Sequence, residues 1–240
     1  MKRLDHIKRF YELLDVIRQK FGGFKELQQC HGRMPWPRGG VYFFSENGEM
    51  RMDSGRGLRV VRVGTHALTQ KSKSSLWGRL SQHKGSEAGS GNHRGSIFRL
   101  IVGAALKRRD KHEGLDSWGI GASLTAASER ISMERNNIKC RELFLERLVS
   151  QAIGQMPFIF LPVEGASDSP LLRAYIEKNA IALLSNRGRT DLIDPPSKGW
   201  LGLHSDRERV RTSGLWNNEH VDAQYDEVFL DKLEHAISAI

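Results

Sequence analysis

Gly40-Val41-Tyr42-Phe43-Phe44 and Leu58-Arg59-Val60-Val61-Arg62-Val63-Gly64 are the two runs on which the fold turns. Both are short, rich in β-branched and aromatic residues, and bounded by turn formers, which is the signature of strands. The segment between them, 45–57, carries Gly, Asn and Asp and reads as the loop of a hairpin. It is longer than the two to five residues usual for such a connection. A third apolar run, PFIFLPV at 157–163, reads as another strand, and its bracketing prolines predict an edge or a short strand.

Helical spacing fills the rest. Ile7, Phe10, Leu14, Ile17 and Phe21 recur at intervals of three and four until Gly22-Gly23 stops them. Ser74 or Ser75 caps a helix carrying Leu76, Leu80 and His83. A helix over 96–109 is expected to turn Ile97, Leu100, Ile101, Ala104 and Ala105 inward, and one over 138–153 is built on Leu143, Phe144, Arg147, Leu148 and Gln151. Residues 110–137 show little pattern. Asp168 or Ser169 caps a helix with Pro170 at its first position and Leu172, Ile176, Ala180, Leu183 and Leu184 along its apolar stripe. A short helix follows Ser205-x-x-Glu208, and a last one carries Phe229, Leu230, Leu233, Ile237 and Ile240. The expected class is α/β (α+β): a small, three-stranded, mainly antiparallel sheet flanked by helices, with helical N- and C-terminal extensions.

The chain has 240 residues and a formal net charge of +9. The charge is concentrated: from Arg56 to Lys111 there are thirteen Lys and Arg against Glu87 and Asp110, a local +11. Such a block reads either as a phosphate-binding surface or as an ordinary solvated face. No stretch approaches the roughly 20 apolar residues of a membrane span. Residues 1–9 are charged and lack an apolar signal core. Cys30 and Cys140 stand apart with no metal-ligand pattern and read as free thiols, so the expected location is the cytoplasm.

Arg79 and His83 are four residues apart and stand on one helical face. Glu177 lies beside Ile176 at the margin of an apolar stripe, a placement suited to a partly desolvated carboxylate and hence to a hard divalent cation. Each residue also has an ordinary reading. Tyr42 fits a core tyrosine, Arg79 a solvated arginine, and Glu177 with Arg173 an exposed helix pair worth well under roughly 1 kcal/mol. Gly91-Asn92-His93-Arg94-Gly95 precedes a helix and reads as a phosphate cradle or a plain turn. Trp200 and Trp216 read as packing residues, with base stacking as the alternative.

Taken in order, these pieces resemble the GIY-YIG nuclease superfamily over roughly residues 38–190. Gly40-Val41-Tyr42 resembles the GIY motif, and Arg62-Val63-Gly64 stands in the place of YIG, with arginine where tyrosine is usual. Arg79, His83, Glu177 and Asn186 match the family's arginine, its His or Tyr, its metal-binding glutamate and its asparagine. The resemblance implies an N-terminal helical extension over 1–34, a nuclease domain over 35–190 with a basic insertion at about 85–156, and a C-terminal extension over 191–240. It implies an endonuclease hydrolysing phosphodiester bonds in double-stranded or branched DNA. Tyr42, Arg79, His83 and Glu177 would be catalytic, with Mg2+ or Mn2+ on Glu177. Arg62, His66, His93, Arg94 and Asn186 would support the site or contact phosphate. The alternatives are a catalytically silent nucleic-acid-binding module on the same scaffold and an RNA-directed nuclease.

Overall fold

The hairpin forms because alternate residues of each strand are apolar toward two different layers. The computed structural model describes residues 2–66, 74–86, 88–166 and 168–240. Helix α1 (Lys2–Lys20) leads to a two-residue strand β1 (Lys25–Glu26), then β2 (Gly40–Met50) and β3 (Leu58–Gly64). Helices α2 (Leu76–Lys84), α3 (Ile97–Arg109), α4 (Leu124–Ile131) and α5 (Arg135–Gly154) follow. Strand β4 (Pro157–Pro162) then returns to the sheet before α6 (Ser169–Leu184), α7 (Glu208–Ser213) and α8 (Phe229–Ser238). The sheet order is β1-β4-β2-β3, antiparallel throughout. The three expected strands are present, and β1 adds a fourth.

Tyr42, Phe44, Phe158 and Phe160 face one layer, where Leu76 and Leu80 of α2, Phe98, Ile101 and Val102 of α3, and Leu145 and Val149 of α5 cover them. Val41, Phe43, Ile159 and Leu161 face the other, covered by α1, α6 and α8 through Phe10, Ile17, Ile176, Ile181, Phe229 and Leu233. The sheet is thus the middle of three layers, each apolar face buried against helices.

Four expectations need correction. β4 is not an edge strand: it sits between β1 and β2, with its prolines at its ends, opposite Glu26 and Gly40, where ladder donors are dispensable. β2 continues through the expected loop to Met50, because its polar half finds distant partners. Glu46 accepts both the Trp200 and Trp216 indole N–H groups, and Glu49 accepts from Arg59 and Ser197. On α3, Ile97 is exposed and Phe98 and Val102 are buried instead. On α5 the buried face is Ile138, Glu142, Leu145, Glu146 and Val149, whereas Phe144 is exposed. Glu142 and Glu146 are tolerated inside because Arg94 and Arg99 pair with them at 2.7 and 2.5 Å.

The outer edge of β3 would be open to other chains. The C-terminal segment closes it. The Trp216 amide donates to Val61 O (2.7 Å), and the Asn217 side chain accepts from Val63 N (3.1 Å) and donates to Val63 O (2.8 Å). No helix among the described residues is long and apolar enough to cross a membrane.

Candidate active site

The site grows from the pairing of Tyr42 with Gly64 across β2 and β3. A Cβ at residue 64 would lie inside the Tyr42 ring and hydroxyl, so only glycine lets the phenol cross its neighbour strand. The Tyr42 hydroxyl meets His83 Nε2 at 2.8 Å, both side chains fully buried. Ser75 caps α2 by accepting from Gly78 N (3.0 Å), and Leu76 and Leu80 anchor the helix to the sheet. That fixes His83 over the strand. Its other ring nitrogen, Nδ1, meets Ser96 Oγ at 2.8 Å. Burial, then Arg62, Arg79 and Arg99, hold the His83 imidazole well below its ordinary value, so it is neutral near pH 7.

Arg62 occupies the strand position opposite Phe44 and turns inward. A bulge after Phe44 lets Val61 and Arg62 both face the α2–α3 layer. The guanidinium lies over the Phe98 ring (4.5 Å), donates to Trp216 O (2.8 Å) and stands beside the Tyr42 hydroxyl. Burial lowers its pKa, while Tyr42 and Glu177 pull it back up against the repulsion of Arg79.

Glu177, half-buried on α6, completes the cluster. Burial pushes its carboxyl above the usual range, against the opposing pull of Arg62, the Thr65 amide and Arg79. Arg79 is partly exposed, held by Gln82 Oε1 (3.0 Å) and Gly95 O (3.4 Å). His66, buried at the end of β3, lies near Ser74 (3.5 Å), and its Nε2 has no hydrogen-bond partner among the described residues. Burial, Arg173 and Arg79 lower its pKa to about 4, against a hydrogen bond to the Ser74 backbone that favours the charged ring.

The structure therefore brings Tyr42, Arg62, His66, Arg79, His83 and Glu177 together and leaves three named residues elsewhere. His93 stacks on Trp118 (3.8 Å), and its Nδ1 and backbone N–H bond to Glu146. Its Nε2 accepts from Gly119 N, so both ring nitrogens are engaged within the protein. Arg94 makes two bonds to Glu142 and reaches Ile120 O and Ser117 O. Asn186 ties a C-terminal loop through Ile193 and receives Arg3. Arg173, read from sequence as one half of an exposed pair, is buried and donates to Val163 O (2.8 Å). Sequence reading missed Ser96 and Thr65. Ser96 was visible as a helix cap, but nothing local pointed it at His83.

The basic block is likewise not one surface. Arg59, Arg62, Arg94 and Arg99 have buried side chains with internal partners. Lys107, Arg108 and Arg109, at the far end of α3, are held by Leu115 O, Ser205 O and Asp110. Arg38 is exposed where its carbonyl accepts from Leu76 N at the start of α2, beside the site.

A family model described as GIY-YIG domain matches residues 1–240. The chain belongs to that family, whose members are generally endonucleases. Comparisons with curated proteins and with solved structures return no match.

Proposed function

We propose that this chain is a metal-dependent endonuclease that hydrolyses phosphodiester bonds in DNA. The observation that carries the reading is the convergence of Tyr42, Arg79, His83 and Glu177 from β2, α2 and α6 into one cluster around Arg62 in a member of a nuclease family. The Tyr42 oxygen, flanked by His83 and Arg62, is the acceptor for the proton of an attacking water. Arg79, partly exposed, faces the charge that develops on the phosphoryl oxygens. Glu177 suits a divalent cation: its carboxylate is hard, partly desolvated, and only partly compensated by Arg62, Thr65 N–H and Arg79. As a lone carboxylate it would hold a Mg2+ or Mn2+ that keeps most of its waters. Such an ion would supply positive charge at the scissile phosphate. Arg38, exposed beside α2, and Arg79 are the residues that would engage the DNA backbone.

Arginine in the place of the usual tyrosine favours a second reading, a nucleic-acid-binding module without turnover. Nicking of supercoiled plasmid with Mg2+, and its loss in excess EDTA, separates the two. Tight DNA binding with no nicking in Mg2+ or Mn2+ assigns the module, and cleavage of RNA alone assigns the RNA-directed enzyme.

A further inference from the structure

The loop before α3, the start of α4 and the middle of α5 enclose a cavity of about 410 Å3. That volume lies within the range of roughly 300–1,000 Å3 usual for ligand sites. Gly95 belongs both to the wall of this cavity and to the candidate active site, because its carbonyl accepts from Arg79 (3.4 Å). The cavity therefore begins one residue away from Arg79.

Its lining limits what would fit. Two carboxylates line it, and neither is free. Glu142 receives two bonds from Arg94, at 2.7 and 2.8 Å. Glu146 is held by Arg99 at 2.5 Å and by the His93 amide at 2.7 Å. These pairs tie the 91–95 loop and α3 to α5, so the cavity is preformed. Lys139 and Arg94 balance Glu142 and Glu146 in the lining, so no net charge draws a phosphate inside. Leu124 and Leu143 supply apolar surface. Beside them stand three donors with no acceptor among the described residues. They are the Lys139 ammonium, the Asn92 amide, whose oxygen accepts from Arg94 N (3.1 Å), and the Ser123 hydroxyl, whose oxygen accepts from Ala126 N (3.1 Å). A flat group with apolar faces and acceptors along its edge uses all of these features. A nucleobase is such a group: every base has a π-face, and each base pair carries edge acceptors.

We propose that this cavity receives an unpaired nucleobase of the DNA strand whose phosphate Arg79 engages. The chain would then favour DNA carrying an unpaired nucleotide over continuous duplex, because drawing a base out of a paired stack is costly and least so for a base that is already unpaired. The loop Gly91–Gly95, which from sequence reads as a phosphate cradle or a turn, becomes one wall of a base pocket. The place of the phosphate at Arg79 rests on the nuclease reading, whereas the fit of the base rests on the cavity.

The test compares two fluorescently labelled duplexes of one sequence, the first fully paired and the second carrying a single unpaired thymine. Anisotropy reads their affinities for the full chain without metal. The duplex with the unpaired thymine should bind tighter by about tenfold, since the paired duplex must first release a base. Leu143→Trp, which fills the cavity, should abolish that preference and leave affinity for the paired duplex unchanged. Lys139→Ala, at an exposed position on α5, keeps the test open should the tryptophan variant fail to fold. It should lower the ratio of the two affinities by about threefold, the worth of one hydrogen bond. Using the ratio cancels the lost charge, which weakens both duplexes alike. Equal affinity of the wild type for the two duplexes, failure to bind either, or an undiminished preference in either folded variant overturns the proposal. Plasmid nicking separates it from the nuclease reading. Nicking without the preference removes the base pocket and keeps the nuclease, and the preference without nicking removes the nuclease and keeps the pocket.

Discussion

Removing the Tyr42 hydroxyl separates chemistry from packing. Tyr42→Phe keeps the ring in the cluster it shares with Phe44 (5.6 Å) and opposite Gly64, so the β2–β3 pairing is preserved. It deletes the 2.8 Å bond to His83 Nε2 and the hydroxyl that stands beside Arg62. Leaving that buried nitrogen without its partner costs about 1–3 kcal/mol. For a chain of this size each kcal/mol lowers the melting temperature by about 2–4 °C, so a fall of roughly 2–12 °C is expected. Loss of the group that receives the water's proton should slow cleavage by about 100-fold or more, or about 2.7 kcal/mol of transition-state stabilisation. Single-turnover nicking at saturating DNA with Mg2+, well below the melting range, reads the rate, and calorimetry reads the stability. A variant that melts lower yet cleaves within about fivefold of the wild type would refute the reasoning, because Tyr42 would then be a packing residue only.

Glu177→Gln should abolish cleavage while raising the melting temperature at neutral pH. Its folded-state pKa is raised, so ionisation opposes folding above that value, and a neutral isostere relieves it; an unchanged rate defeats the metal assignment. Arg79→Ala should reduce turnover by about 100-fold, as does loss of one preorganised donor to a developing anion, and a change below about fivefold would make it a surface residue. Arg38→Ala should flatten the slope of log DNA affinity against log salt by about 0.9, one phosphate contact's worth. The combined Lys107, Arg108 and Arg109 alanine variant should alter that slope less, and the reverse order would relocate the DNA to the far end of α3. His66 is held near 4 when folded, against 6.5 unfolded. The unfolded chain therefore takes up its proton first as pH falls, and stability declines from about pH 6.5 toward pH 4. Melting curves of His66→Gln across that window should be less pH-dependent than the wild type's, and identical slopes would sink this account.

What the sequence made legible and what it hid follow one physical division. Strand and helix identity came from local patterning: the apolar runs at 40–44, 58–64 and 157–163, the stripes of α1 and α2, and Phe229, Leu230, Leu233 and Ile237 of α8 are buried where periodicity placed them, whereas Ile240 is exposed beyond the end of α8. The residues of the candidate site were readable because each has its own chemistry and they follow one another at family spacing. Errors arose wherever a polar group is buried by a distant partner. α5 was read on the wrong face because its inner face carries Glu142 and Glu146, whose acceptability depends on Arg94 and Arg99 some fifty residues earlier. The same exchange made the basic block look like surface. β2 looked like a loop beyond Phe44 because Glu46 and Glu49 are satisfied only by Trp200, Trp216, Arg59 and Ser197.

Arg62 shows why this division matters for function. An arginine between valines inside a strand reads as an anomaly, since a buried cation without partners is too costly to keep. Its partners come from three separated stretches: the Phe98 ring from α3, the Tyr42 hydroxyl from β2, and the Trp216 carbonyl from the segment that seals the edge of β3. The residues that close the sheet edge therefore also hold the cation beside the tyrosine. A substitution that loosens Trp216 from Val61 would therefore reach the site through the carbonyl to which Arg62 donates.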